Sequence, residues 1–425
     1  MIVPLGGAQR RLLPEAIPSL FFGTAIAAHV LAWAGLIPIA HELPGFTGGP
    51  GPVLAVFHTL TIGVLICTAI GASLQMLPVA FGRSATRRVT CIVVYCALLA
   101  GLMLLVTGLG VNDAMIAGAA AASLSIAAGL YVAAISVILF AARGMRIVRH
   151  SVAVALVSLS VAVIFALALT ADYQFHLLAD HRRVALAHAV LTSFGFMGML
   201  VFAFSHILIP MFAVAEAPAG SVLDCTFALL AMALAGAVAG CLCAWPVLTS
   251  VAGGVGLAGA LLHVAVMAKT VERRVRKRLG PEFVFIRVSW CMLLVGILLA
   301  IALTSGLLSD PWPAVTIVVV AYGWLLTFLL GVLQRILPFL ASMHTARSGP
   351  GLLSPSRLAV EKPLRIHLWC HFGAVVALVT GAFFAVPEII QIGAAAGAIG
   401  ALAFGWFAVT IFRRTRAHCN APAIN

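Results

Sequence analysis

The chain has 425 residues, of which 63% are hydrophobic and 9% charged, with 25 Lys and Arg against 12 Asp and Glu. A water-soluble domain of that composition lacks the polar groups to cover its surface, so soluble folds are excluded and lipid is the expected solvent. The net charge of +13 would suit nucleic acid, but the placement of the basic residues accounts for it by topology, and no nucleic-acid partner is expected.

A helix needs about 20 apolar residues to cross about 30 Å of hydrocarbon. Twelve such runs follow one another, near 17–39, 53–80, 88–109, 114–141, 151–171, 184–214, 225–246, 249–269, 284–308, 313–341, 366–385 and 389–412. The first has an apolar run too long for a signal peptide and no small-residue cleavage site before the second, so it reads as a retained helix. No polar stretch is long enough for a separate soluble domain, and residues 1–425 form a single transmembrane domain.

Basic residues recur in every second connection: Arg10 and Arg11, then Arg83, Arg87 and Arg88, then Arg143, Arg146 and Arg149. The run from Lys269 to Arg287, the group from Arg335 to Arg365, and Arg413, Arg414 and Arg416 keep the same phase. The positive-inside rule makes these connections and both termini cytoplasmic, in the inner membrane of a bacterial cell. Only Arg182 and Arg183, at the outer mouth of span 6, break the pattern. A bound anion would explain the lapse; a tolerated charge pair in a short loop would do so equally. The nine cysteines form no CxxC pair, and those in or near spans, such as Cys67, Cys91, Cys241, Cys243 and Cys291, are expected to pack as small apolar groups.

Spans 2, 6 and 10 align on a proline. Pro78, Pro210 and Pro338 are each preceded fifteen residues earlier by Gly63, Gly195 and Gly323, and seven residues earlier by Gly71, Ala203 and Gly331. The prolines lie 132 and 128 residues apart, four spans each time, which divides the chain into pseudo-repeats at about 14–142, 150–270 and 283–412. The small residues allow close helix contact, and each proline falls near the cytoplasmic end, where interrupting the helix costs little. Generic small-residue packing would also produce part of this pattern.

Three arcs of four helices, with Phe57, His58 and Thr59 near the outer end of span 2 and paired arginines at the outer face, resemble subunit I of the haem–copper oxidases. The stretches FHTLTIG, GASLQMLPV and GVLQRILPFLASMH are similar to a group of relatives that includes the NnrS-like haem and copper membrane proteins associated with nitric-oxide stress. The resemblance implies an all-α, polytopic fold of about twelve transmembrane helices in three four-helix units. It places His58 at the family's low-spin haem ligand. Span 7 (Cys225 to Trp245) lacks the family's paired copper histidines, and span 10 has no histidine before His344, so the dioxygen-reducing centre is not implied.

All twelve acidic residues lie in or beside loops, whereas ion-coupled carriers keep a carboxylate at mid-membrane. The spans hold histidines instead: His29, His58, His188, His206 and His263, with His367 and His371 at the cytoplasmic start of span 11. Neutral imidazole suits haem iron or copper and is cheaper to bury than a carboxylate. His58 and His188 sit at similar shallow depth and are expected to share one haem b or one metal ion, with His29 as an alternative partner and Arg182 and Arg183 near a haem propionate.

Counted at 3.6 residues per turn, His188, Gly195, Met199 and His206 fall within about 20° of one helical face, with the histidines about 27 Å apart. Gly195 between them is expected to leave room for a flat group. His367 and His371, four apart, have the spacing of two ligands to one metal, although a wet boundary pair reads the same way. DYQFHLLADHRR, carrying Asp172, His176, Asp180 and His181, is either a docking surface for an electron-donor protein or a solvated loop. The expected function is haem binding in electron transfer or diatomic-gas (nitric oxide or oxygen) metabolism, with copper as a further cofactor and partner subunits conceivable. The alternatives are a cofactor-free permease for a metal or small solute, and a haem-binding sensor or assembly protein.

Overall fold

The computed structural model describes residues 11–348 and 351–420, and these contain helices without strands. Among the described residues twelve helices are long and apolar enough to cross a bilayer: α1 (Ala16–Leu36), α2 (Pro52–Ala80), α3 (Arg88–Gly110), α4 (Ala114–Ala141), α5 (Arg146–Phe175), α6 (His181–Ala213), α7 (Ser221–Leu242), α8 (Pro246–Glu272), α9 (Glu282–Thr304), α10 (Trp312–Thr345), α11 (Glu361–Phe384) and α12 (Pro387–Cys419). A helix satisfies its own backbone polar groups, which any segment shielded from water must do. The helices match the apolar runs but extend into polar flanks, as at Arg146, His181 and Cys419, because backbone hydrogen bonding does not stop where hydrocarbon does. Arg10 and the side chain of Arg347 lie outside the described residues.

Three helices are central. The apolar windows of α2, α6 and α10 are 61%, 78% and 83% buried, against 22–44% for the other nine, which therefore present much of their surface to lipid. Each central helix carries an eight-residue π-helical segment, Thr59–Ile66, Leu191–Gly198 and Val319–Leu326. These begin 132 and 128 residues apart, the same intervals as Pro78, Pro210 and Pro338. The α10 segment packs against both of the others. Pro78 and Pro210 lie in the last turn of their helices, but Pro338 does not end α10, which continues to Thr345. Loss of one N–H leaves the following turns free to resume their own bonds.

One turn occurs three times, between α3 and α4, α7 and α8, and α11 and α12. A left-handed residue (Asn112, Ala244, Ala385) follows four positions after a glycine (Gly108, Gly240, Gly381). The next N–H, of Asp113, Trp245 or Val386, donates back to that glycine's carbonyl at 2.8, 2.8 and 2.9 Å, closing the helix end. A Cβ on Gly108 or Gly381 would stand only 2.7 or 3.0 Å from the backbone nitrogen of the returning helix, so the hairpin needs glycine there.

The two ends of the chain meet, since α1 packs against both α2 and α12, and one hydrophobic core runs from Leu13 to Ile411. At the end of the bundle that carries most of the basic residues, Glu282 is buried, with Oε1 3.7 Å from Arg276 and 3.6 Å from Arg335. The cysteines divide: Cys67 and Cys91 are buried, while Cys243 and Cys291 are exposed, as positions on outward faces can be when the surroundings are lipid.

Candidate functional site

The membrane-embedded histidines fall into three groups. His58 immediately precedes the π segment of α2, and His188 stands three residues before that of α6. The His58 Nδ1 lies 2.9 Å from the Leu54 carbonyl, one turn back, and the His188 Nδ1 lies 2.9 Å from the Ala162 carbonyl of α5. A carbonyl only accepts, so both Nδ1 atoms donate and both Nε2 atoms keep a lone pair. A ring fixed through one N–H, with the other nitrogen free, is how proteins present a histidine to a metal. Both rings are half-buried and within electrostatic reach of each other.

The surroundings correct one expectation. Gly195 leaves no room for a flat group, because a Cβ there would stand 2.7 Å from both Cβ and Oγ of Ser158. The glycine serves close approach of α5 to α6. The two outer arginines are not equivalent: Arg183 Nε is 2.7 Å from Asp180, whose carboxylate also caps α6 by accepting from the Arg183 backbone N–H, while Arg182 is exposed. The rest of that loop is likewise ordered from within, since Asp172 accepts from the Leu178 N–H at 2.7 Å and pairs with His181 at 2.8 Å.

His206 forms the second group. Its Nδ1 donates to the Phe202 carbonyl at 2.8 Å, and its ring lies 5.8 Å from that of His263 on α8, with Phe202 against both. Counting a shared face for His188 and His206 assumed 3.6 residues per turn throughout. The π segment between them holds more residues per turn, so the count loses phase. The two histidines engage different neighbours, α5 and α8.

The third group joins His29 of α1 to His367 and His371 of α11, all at most 1% exposed. His29, the alternative partner for His58, lies 6.0 Å, centroid to centroid, from His367. His367 and His371, expected at a wet boundary, are among the most buried side chains in the protein. Their rings are 5.8 Å apart, and Phe285 lies 5.3 Å from each, stacked on His367. Phe404 and Trp33 close the remaining sides at 5.0 Å from His367 and 6.5 Å from His371.

Each ring of the third group is anchored at one nitrogen. The Trp33 indole N–H donates to His29 Nε2 at 3.0 Å, His367 Nδ1 donates to the Gly400 carbonyl at 3.0 Å, and His371 Nε2 bonds Thr327 Oγ1 at 2.8 Å. Because Thr327 Oγ1 gives its proton to the Tyr322 carbonyl, His371 Nε2 is the donor in its own bond. The opposite nitrogens, His29 Nδ1, His367 Nε2 and His371 Nδ1, are buried without hydrogen-bond partners. Trp33, Phe285 and Thr327 were not singled out in the sequence. The i,i+4 pair His29–Trp33 was the available signal, but spacing cannot say which helix a pair faces.

Among the described residues no group of three or more His, Cys, Asp or Glu side chains is set to hold a metal ion. No family model and no curated protein sequence matches the chain.

Proposed function

We propose that this chain is a haem-binding protein of a bacterial inner membrane, its basic face cytoplasmic, in which His58 and His188 ligate one haem b and the protein passes single electrons. One observation carries the reading: two imidazoles on two central helices have both Nδ1 protons given to backbone carbonyls and both Nε2 lone pairs free. The haem supplies reversible one-electron chemistry, and two imidazole ligands would leave it no open position for a diatomic gas. The first turns of α2 and α6 do not pack extensively on one another, and the haem would lie between the two rings. Arg182 is the arginine free to meet a propionate.

The architecture we propose is three four-helix units, α1–α4, α5–α8 and α9–α12, similar to haem–copper oxidase subunit I. Its support is the three π segments in phase with the three prolines, and the three identical hairpin turns.

The test is the visible spectrum of the purified, detergent-solubilised protein, oxidised and reduced, after reconstitution with haem b. A Soret band that shifts on reduction and disappears in His58→Ala and His188→Ala is the expected result. Absence of any Soret band in the reconstituted wild type would sink the reading.

A cofactor-free permease is the second reading. It draws on the buried polar side chains Gln75, His206 and Gln334, which stand three or four residues before the three prolines and have polar atoms without partners. Uptake of a metal or small solute into vesicles by the haem-free protein, lost in Gln334→Leu, would favour it.

A further inference from the structure

Glu282, the first residue of α9, gathers a cluster that contains no histidine and does not depend on the haem reading. Its carboxylate lies against Gly280, where any Cβ would overlap it. Two guanidiniums reach the same oxygen, Arg276 from the α8–α9 connection at 3.7 Å and Arg335 from α10 at 3.6 Å. The arginine side chains are 29% and 31% exposed and the glutamate 4%. The other arginine–carboxylate pairs among the described residues, Arg146–Asp224, Arg183–Asp180 and Arg365–Glu361, join one cation to one anion and are more open to solvent. Around Glu282 two cations share one anion. One positive charge is left over in a setting that water screens poorly.

The donors are unspent as well. Both separations are too long for a hydrogen bond, and Glu282 Oε1 has no hydrogen-bond partner. Arg276 donates once, to the Phe212 carbonyl at 3.4 Å. The Arg335 guanidinium stands 5.9 Å from the centre of the Phe212 ring and makes no hydrogen bond among the described residues. Two guanidinium forks side by side, with one charge in excess, match a monoanion that offers several acceptor oxygens. A phosphodiester has that charge and those oxygens. The cluster also sits beside open apolar surface. Val214, just after α6, and Val275, in the α8–α9 connection, are joined by an N–H···O bond of 3.1 Å, and they are 55% and 76% exposed. Apolar side chains open beside half-buried arginines suit the boundary between acyl chains and headgroups. Arg273, Arg274, Lys277 and Arg278 are exposed in the same connection, which Glu272 precedes. That excess of cations attracts anionic headgroups and repels an ammonium.

We propose that Arg276 and Arg335 bind the phosphodiester of one anionic phospholipid, of the phosphatidylglycerol class, in the leaflet at the basic end of the bundle. The two guanidiniums, Glu282 and the phosphodiester are together neutral. Glu282 holds the forks side by side before the lipid arrives and limits the excess to one charge, so a monoanion is favoured over a dianion. Bound lipid ties the α8–α9 connection to α10. A zwitterionic phosphatidylethanolamine carries the same phosphodiester but brings its ammonium among Arg273, Arg274, Lys277 and Arg278.

The experiment is native mass spectrometry of the protein released from nanodiscs of equal parts phosphatidylglycerol and phosphatidylethanolamine. The expected result is one phosphatidylglycerol retained per chain in preference to phosphatidylethanolamine, a preference of the wild type that needs no variant to fold. Retention should fall at least about tenfold in Arg276→Gln and in Arg335→Gln, the effect of losing a charge-assisted hydrogen bond. Arg365→Gln, at an exposed pair, should retain the lipid as the wild type does. Millimolar inorganic phosphate should not displace it. Equal retention of the two lipids would overturn the proposal. Displacement by inorganic phosphate would do so in favour of a free-phosphate site, and an equal loss in Arg365→Gln in favour of a diffuse basic face.

Discussion

The His58–His188 pair and the His29–His367–His371 group use the same side chain and differ in what surrounds it. In the pair each ring is held by one backbone carbonyl and is half-exposed. In the group each ring is held at one nitrogen and enclosed by Trp33, Phe285 and Phe404. The same side chain is thus left partly accessible in one place and sealed in the other. The packing around an imidazole, more than the imidazole, decides the size of what it can bind.

The strongest way to break that contrast is to open the closed site. Phe285→Ala removes the ring stacked on His367 and touching His371 and Phe372. In lipid the transfer part of the penalty falls away, because hydrocarbon tails are as apolar as the core. The cavity and lost packing remain and should cost about 3 kcal/mol, the lower end of the range for ring deletions. Thermal unfolding in nanodiscs should report this as a clear fall in Tm. The Soret band attributed to His58 and His188 should not move with it.

The contrast also marks what could be read from sequence. Twelve crossings and their near-boundaries followed from apolar length, because that length is set by the bilayer. The prolines of spans 2, 6 and 10 marked the three central helices, since a position that must admit a neighbouring backbone selects small residues at fixed intervals. His58 and His188 stood out by depth. What failed was everything that depends on rotation about a helix axis. Eight residues of π helix between His188 and His206 are invisible in composition and moved the second histidine onto a different neighbour. Whether α11 turns His367 and His371 toward α1 or toward lipid depends on which helix lies beside it. That adjacency is fixed by the closure of α1 on α12, a contact between opposite ends of the chain that no local pattern encodes.

A second variant sharpens the comparison from the open side. Gly195→Ala forces a Cβ against Ser158, which must move because the contact would be 2.7 Å. Ser158 lies one turn before Ala162, the residue whose carbonyl holds His188. Overpacking of this kind should cost about 1–2 kcal/mol. Its specific signature should be a shifted reduced absorption band of the proposed haem. An unshifted band would mean that Ser158 yields without moving the Ala162 carbonyl that holds His188.

The smallest effect is expected at the outer arginines, where it discriminates most finely. Arg183 is exposed and paired with Asp180, and an exposed pair contributes about 0–1 kcal/mol, so Arg183→Ala should leave Tm nearly unchanged. Asp180 still caps α6 through the Arg183 backbone N–H, which any side chain at that position preserves. Because its guanidinium is already held, Arg183 should also be dispensable for haem retention, whereas Arg182, which has no such partner, should not be. Haem dissociation measured by transfer to apomyoglobin should therefore accelerate in Arg182→Ala and stay at the wild-type rate in Arg183→Ala. Equal acceleration in both would show that Asp180 releases Arg183 when haem binds, and the loop would then belong to the site.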